Sequence, residues 1–204
     1  MFKIDLHVHT ELGGDSLIRP PDVVAQARRK GLDAVCITEH HAYELSQPFE
    51  RIALQEKFPI FRALEYRAAE GHLLIYGVHA GKSDFLPGLP MQTVVAWVNN
   101  RGGVAVPAHP YQNGLIGCAL GDRVLALNGL VALETLNGSV RDEDNQLAHA
   151  AASRLGIKGI GGSDAHGIQA LGSAYTCFDE AIASEAGLVA ALRSGAYFPQ
   201  RCQR

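Results

Sequence analysis

Near the start of the 204-residue chain, Ile4, Leu6 and Val8 alternate with Asp5, His7 and His9. Strict alternation is the mark of a strand with one buried face, and it turns both imidazoles, with Asp5, to the same side. Two imidazoles so placed can reach one cation, though alternate histidines can equally line a polar face. Towards the other end, Asp164 and His166 repeat the spacing as D-x-H. Between these pairs lie His40, Glu65, His72 and His109, each at one end of a strand-like apolar run. Histidines and a carboxylate gathered away from water are costly without a cation to neutralise them, so the set as a whole implies divalent metal binding. Nitrogen and carboxylate donors suit zinc, manganese or iron without ranking them.

The elements that must position these residues alternate short apolar strands with helical stretches. Strands are expected at Lys3–Val8, Asp33–Thr38, Pro59–Tyr66, Leu73–Val78, Val104–Ala108, Leu130–Glu134, Ile157–Gly161 and Tyr175–Phe178. Pro20-Pro21-Asp22 opens a helix that Gly31 ends. Tyr43–Lys57 reads as partly helical, interrupted by Pro48. Further helices are expected over Gln92–Arg101, over Arg141–Leu155 closed by Gly156, and over Ser184–Arg193 with Ser184 as N-cap. Strands mostly followed by helices predict an α/β fold with a largely parallel sheet and right-handed crossovers. Most of the polar candidates follow strand ends, with His72 beginning its strand across a tight turn from Glu65. A ring of ligands drawn from nearly every strand favours a closed barrel over an open sheet. The Gly-rich segment Pro110–Arg123 is the expected active-site loop.

Composition narrows the field. Apolar residues make up 47% and charged residues 19%, as in one globular domain spanning 1–204. Eighteen basic against 21 acidic residues give a net charge of −3, a poor footprint for gripping long nucleic acid but no obstacle to a small phosphorylated substrate. Cys36, Cys118, Cys177 and Cys202 form no CxxC pair, so a reducing compartment is expected. No stretch is apolar enough to span a membrane and no signal-peptide pattern opens the chain, so a cytoplasmic location is expected.

The succession D-L-H-V-H-T, I-T-E-H-H, A-L-E, G-H-L-L-I-Y-G, P-A-H-P and G-G-S-D-A-H resembles the polymerase and histidinol phosphatase (PHP) superfamily from Ile4 to about Thr176. The resemblance implies a distorted (β/α)7 TIM-like barrel holding two or three divalent ions. It implies His7, His9, Glu65 and Asp164 around a first metal, with Glu65 bridging to a second completed by His72 and His109. It implies a third held by Asp15, His40 and His166, with Glu11 as a rival to Asp15. Turnover would rest chiefly on Glu65, Asp164 and His166. The family more often shows Asp where this chain has Glu39, which is therefore assigned to a supporting position.

The implied activity is hydrolysis of a small phosphate ester, with a hydroxide bridging two metals as nucleophile. A nuclease acting on nucleotides or short oligonucleotides is the alternative, and a non-catalytic metal-stabilised module a third reading. No G-x-S-x-G or Walker-type loop points elsewhere. Glu134 and Asn137 fall at a rim position suited to a supporting, substrate-binding or structural role. Arg19, Arg67, Lys82 and Arg141 are candidate phosphate anchors, whereas His41, His79 and His149 match no motif.

Overall fold

The computed structural model describes residues 1–81, 83–112 and 120–202. Strand β1 (Phe2–Val8) leads to helix α1 (Pro20–Arg29), whose two opening prolines fall where a missing N–H costs nothing. Gly31, at φ +68°, closes that helix. Strand β2 (Ala34–Ile37) follows, then a short 3-10 turn (Tyr43–Ser46) and α2 (Pro48–Glu56). Pro48 thus begins a helix rather than breaking one. Strands β3 (Ile60–Arg67) and β4 (His72–Tyr76) precede α3 (Met91–Asn100) and β5 (Val104–Ala108). Strand β6 (Ala132–Asn137), α4 (Asp142–Leu155) and β7 (Lys158–Gly162) form a further unit. The chain then runs through β8 (Ala174–Phe178), α5 (Glu185–Ser194) and β9 (Tyr197–Arg201). Ser184 caps α5 by accepting from the Gly187 N–H at 3.0 Å. Strand β9 has no counterpart in the sequence-based expectation.

The seven-stranded sheet runs β5-β4-β3-β2-β1-β8-β9, and β6-β7 form a separate parallel pair. The expected largely parallel sheet is corrected here. Strands β1, β2 and β3 are mutually parallel, but β4 runs against both β3 and β5, and β8 against β1 and β9. The physical reason lies in the connection: only four residues join β3 to β4, closed by the Ala68 N–H on the Gly71 carbonyl at 2.8 Å. A parallel crossover needs a dozen residues or more. Because β4 is reversed, its first residue, His72, comes to the same rim as the ends of β1, β2 and β3.

The sheet curls, and β6-β7 close the gap: the Asp164 N–H donates to the His7 carbonyl at 2.8 Å, and Val8 bridges Ala165. One apolar cluster draws on every strand from β1 to β7, including Ile4, Ala34, Ala63, Leu74, Val106 and Ile160. This is the interior of a distorted barrel, and Leu188 and Leu192 of α5 pack into it. Outside, α3 and α4 cover one flank while α1 and α2 cover another. Burial of the sheet on both faces explains why several strands read as unbroken apolar runs.

Strand β1 departs from strict alternation. Its pairing with β2 slips between Asp5 and Val8, where Leu6 and His7 on β1 stand against Cys36 alone on β2. Ile4 and Leu6 face the interior, whereas Val8 joins the outer cluster under α1. The bulge therefore brings His7 and His9 inward, on the side of Leu6, and leaves Asp5 facing away from them. Its polar groups are satisfied locally: the Tyr76 hydroxyl donates to the Leu6 carbonyl at 3.0 Å, and the His7 N–H donates to Asp5 Oδ1 at 3.3 Å. Behind the bulge β7 passes close, since a Cβ on Gly162 would overlap His7 Cβ and stand 2.8 Å from His7 N.

Candidate metal centre

Six elements deliver their polar side chains to one rim of the barrel. The bulge on β1 supplies His7 and His9, the segment after β2 supplies His40, β3 supplies Glu65 and β4 supplies His72. His109 follows β5, and Asp164 and His166 follow β7. Asp15 comes from the loop between β1 and α1, where the Ser16 hydroxyl donates to the His9 and His166 carbonyls at 3.0 and 3.2 Å.

Around Glu65 Oε2 the spacing is regular. His7 Nε2 and His9 Nε2 are 3.0 Å apart, and Oε2 lies 3.3 and 3.1 Å from them. Asp164 Oδ1 is 3.5 Å from both nitrogens. Four donors about 2.0–2.2 Å from one ion at tetrahedral angles would stand roughly 3.3–3.6 Å apart, so these four atoms frame a cation-sized space. Glu65 Oε1 turns the other way, to His72 Nδ1 at 2.8 Å and His109 Nε2 at 3.1 Å. A third group joins His40 Nε2 to Asp15 Oδ2 at 2.9 Å, with His166 Nε2 3.5 Å from the same oxygen. His9 also lies within reach of this group. All nine sequence candidates are thus drawn together, and Glu65 stands where two groups meet.

Burial and charge set the protonation of this cluster. Burial alone would lower the His7 pKa, but the carboxylates of Asp164, Glu134 and Glu65 hold it well above the ordinary imidazole range. Burial would raise Glu65, yet His7 and the hydrogen bonds from His109, His7 and His72 hold it well below the carboxylate range. Asp164 is lowered against its burial by His7 and His109. Among the histidines, His40 moves down, desolvation outweighing its acidic neighbours. Buried imidazoles and carboxylates here neutralise one another, a role that bound cations would assume.

Two supporting carboxylates deserve different descriptions. Glu134 Oε1 lies 2.9 Å from His7 Nδ1, which fixes Nε2 as the nitrogen facing Glu65. Its other oxygen accepts from the His109 N–H at 2.7 Å and from Asn137 Nδ2 at 3.1 Å, and the same amide reaches Asp164 Oδ2 at 3.2 Å. One carboxylate therefore orients the His7 imidazole and holds the backbone that carries His109. Glu134→Gln cannot accept on both oxygens, and it is expected to weaken cation binding about 10–100-fold with little change in fold, as read by metal titration. Glu39 sits behind the third group, bonded to the Thr10 hydroxyl and accepting from the Thr10 N–H at 3.1 Å. Burial pushes it up to about 7 against those bonds.

Backbone strain concentrates at the rim. Among the described residues, four non-glycines have positive φ, and His41, His109 and Asp164 are three of them, at +65°, +29° and +51°. Such conformations cost on the order of 1–3 kcal/mol each and persist only where surrounding bonds hold them. Here the Asp164 and His109 amides are both tied down, to His7 and Glu134.

Other sequence candidates fall elsewhere. Asp5 orients no imidazole, being buried among the amides of Ser163 and Gly172, which donate to it at 2.8 and 2.9 Å. His79 stacks on Tyr43 with ring centroids 3.9 Å apart, beside Glu185, and His149 is exposed on α4. His41 adjoins His40 without joining a ligand group. Arg19 and Arg141 pair with Asp22 and Asp144. Lys82 and residues 113–119 of the Pro110–Arg123 loop lie outside the described residues. Asn137, expected at the rim with Glu134, supplies the bridging amide; the hydroxyls of Thr10 and Ser16 were not foreseen as parts of this site, and an N-terminal loop rich in small polar residues was their only signal.

No helix among the described residues is long and apolar enough to cross a membrane. Comparison with known proteins follows the same lines as the geometry. The family model described as PHP domain matches residues 5–133, and one described as PHP-associated matches residues 142–197. An uncharacterised protein of Methanocaldococcus jannaschii is 28% identical over 150 residues, covering 69% of this chain and 84% of its own. Among solved structures, a protein from Bifidobacterium adolescentis assigned as a metal-dependent phosphoesterase aligns with a TM-score of 0.62 at 20% identity, covering 80% of this chain and 87% of that one. A two-domain protein from Bacteroides vulgatus, one part of which is assigned as a PHP-like metal-dependent phosphoesterase, aligns with a TM-score of 0.73 at 17% identity, over 98% of this chain and 65% of that one. An amidohydrolase from Chromobacterium violaceum, solved with sulfate and no metal, gives 0.64 at 17% identity, over 80% and 87%. With the PHP model spanning well over half of its length, this chain belongs to the PHP domain family.

Proposed function

We propose that this chain is a metal-dependent phosphoesterase acting on a small phosphate monoester or diester, with two or three ions of zinc, manganese or iron held by the nine rim residues. The observation that carries this reading is the arrangement around Glu65, one oxygen facing His7, His9 and Asp164 and the other facing His72 and His109. That is a geometry for holding two cations a few ångströms apart, as phosphoryl transfer favours. Bound cations would neutralise phosphoryl oxygens and bring the pKa of a coordinated water from about 15.7 towards neutrality.

The chain's own groups hold that chemistry in place. Glu65 ties two halves of the centre together, Glu134 presents His7 through Nε2, and Asn137 links Glu134 to Asp164. His72 and His166 are 30% and 40% exposed in their side chains, so the centre opens to solvent on that side and a small ester can approach. A sulfate carried by the Chromobacterium violaceum relative, a tetrahedral dianion of phosphate's shape, is in keeping with such a substrate.

Purified protein supplied with zinc, manganese or iron is expected to hydrolyse an aryl phosphate, and exhaustive chelation is expected to abolish turnover until metal is returned. Turnover that survives chelation sinks the reading. A parallel assay on a single-stranded oligonucleotide separates it from a nuclease, and the net charge of −3 predicts much weaker turnover there.

A further inference from the structure

We propose that Arg67 forms an oxyanion subsite at the mouth of the metal centre, binding a phosphate or carboxylate oxygen of the substrate; the inference rests on the phosphoesterase reading above. Its basis is register. Arg67 is paired directly with His72 across the antiparallel β3-β4 ladder. Residues so opposed point to the same face, with Cβ atoms about 4.5–5.5 Å apart. His72 turns that face towards Glu65, its Nδ1 2.8 Å from the carboxylate. Arg67 also stands two residues beyond Glu65 on the same strand, which gives the same side by alternation. Glu65 is 1% exposed while Arg67 is exposed, so the guanidinium lies where the cluster meets solvent.

The strand end that carries Arg67 is braced. Its carbonyl accepts from the Gly88 N–H at 2.9 Å, and the neighbouring Tyr66 hydroxyl donates to the Leu86 carbonyl at 2.6 Å. Glu70, the next acidic residue after Arg67 in the chain, is committed to the Met91 N–H at 2.8 Å. Among the described residues no carboxylate or carbonyl engages the Arg67 guanidinium, whereas Arg19, Arg62, Arg141 and Arg201 are each paired. A fixed positive charge beside sites for divalent cations is repelled by them unless an anion lies between. The planar guanidinium fork matches two oxygens of one phosphate or carboxylate, which a lysine ammonium does not.

The two sources of that anion are the phosphoryl group itself and an acidic group on the leaving alcohol. Inorganic phosphate binding to metal-loaded protein, measured by calorimetry, reads the first. KM for a plain aryl phosphate against one bearing a carboxylate reads the second. For Arg67→Gln we expect unchanged metal content and melting temperature, with phosphate affinity weakened about tenfold or more, and a smaller loss for Arg67→Lys. Unchanged phosphate affinity with a tenfold higher KM for the carboxylate-bearing ester alone supports the subsite and assigns it to the leaving group. Phosphate affinity and both KM values equal to wild type, with turnover intact, overturn the subsite and leave the phosphoesterase reading standing. Weakened phosphate binding in Arg67→Gln, with no ester turned over by wild type, sustains the subsite and overturns the phosphoesterase reading instead.

Discussion

Glu65→Gln is expected to lower turnover of an aryl phosphate by about a thousandfold or more, the order seen when transition-state charge stabilisation is removed from a buried site. The carboxylate lies within 3.3 Å of five imidazoles, His7, His9, His40, His72 and His109, and among the described residues no other side chain reaches both halves of the centre so closely. Glutamine keeps the shape but offers one acceptor oxygen and one NH2 group, so one half of the centre must face a donor where it had an acceptor. The cation content per chain, measured by elemental analysis, should fall together with turnover. Native metal content and native turnover in Glu65→Gln would refute the bridging role.

The second large effect is expected at Asp164. Its carboxylate, 3.5 Å from His7 Nε2 and His9 Nε2 and 3.6 Å from His166 Nδ1, connects the first group with the third. Asp164→Asn is the cleaner probe, because at φ +51° asparagine is among the few side chains that tolerate the left-handed region. Alanine at this position would add backbone strain of roughly 1–2 kcal/mol to the loss of charge and blur the result. Asp164→Asn should reduce kcat about 100- to 1000-fold, with an unchanged circular dichroism spectrum and a weaker hold on metal. Retention of kcat within about threefold would remove Asp164 from the working centre.

Both predictions follow from the way the charges are arranged. In the cluster His7 is pulled up and Glu65 and Asp164 are pulled down, each against the direction that burial alone would impose. Opposite charges this close sustain one another in a buried setting, and removing one partner leaves the other uncompensated. The orienting contact from Glu134 works on the same principle at one remove: it does not face the cation space, yet it decides which nitrogen of His7 does.

Much of this was legible along the chain. Eight of the nine ligand candidates, the boundaries of most strands and helices to within a residue or two, and the caps at Pro20, Gly31, Gly156 and Ser184 follow from residue type and spacing, whereas Asp15 was implied only by the family resemblance. These features are local: a proline fixes φ, a glycine accepts the left-handed turn, an apolar run of five or six residues wants burial. His72 was the one ligand at the start of its strand, and the short Ala68–Gly71 turn already carried the reason.

Tertiary structure decided what local rules could not. Alternation in β1 would place Asp5 beside His7 and His9, but the bulge turns them apart, and a bulge arises only from the partner strand's register. Which carboxylate faces which imidazole, the tie from Glu134 to His7 across 127 residues, and the pairing that sets Arg67 beside His72 are products of how strands lie against one another. The sequence by itself determined which groups are available to hold metal; only the closed, curled sheet determined that they meet, because distances between residues far apart in the chain are set by packing and not by composition.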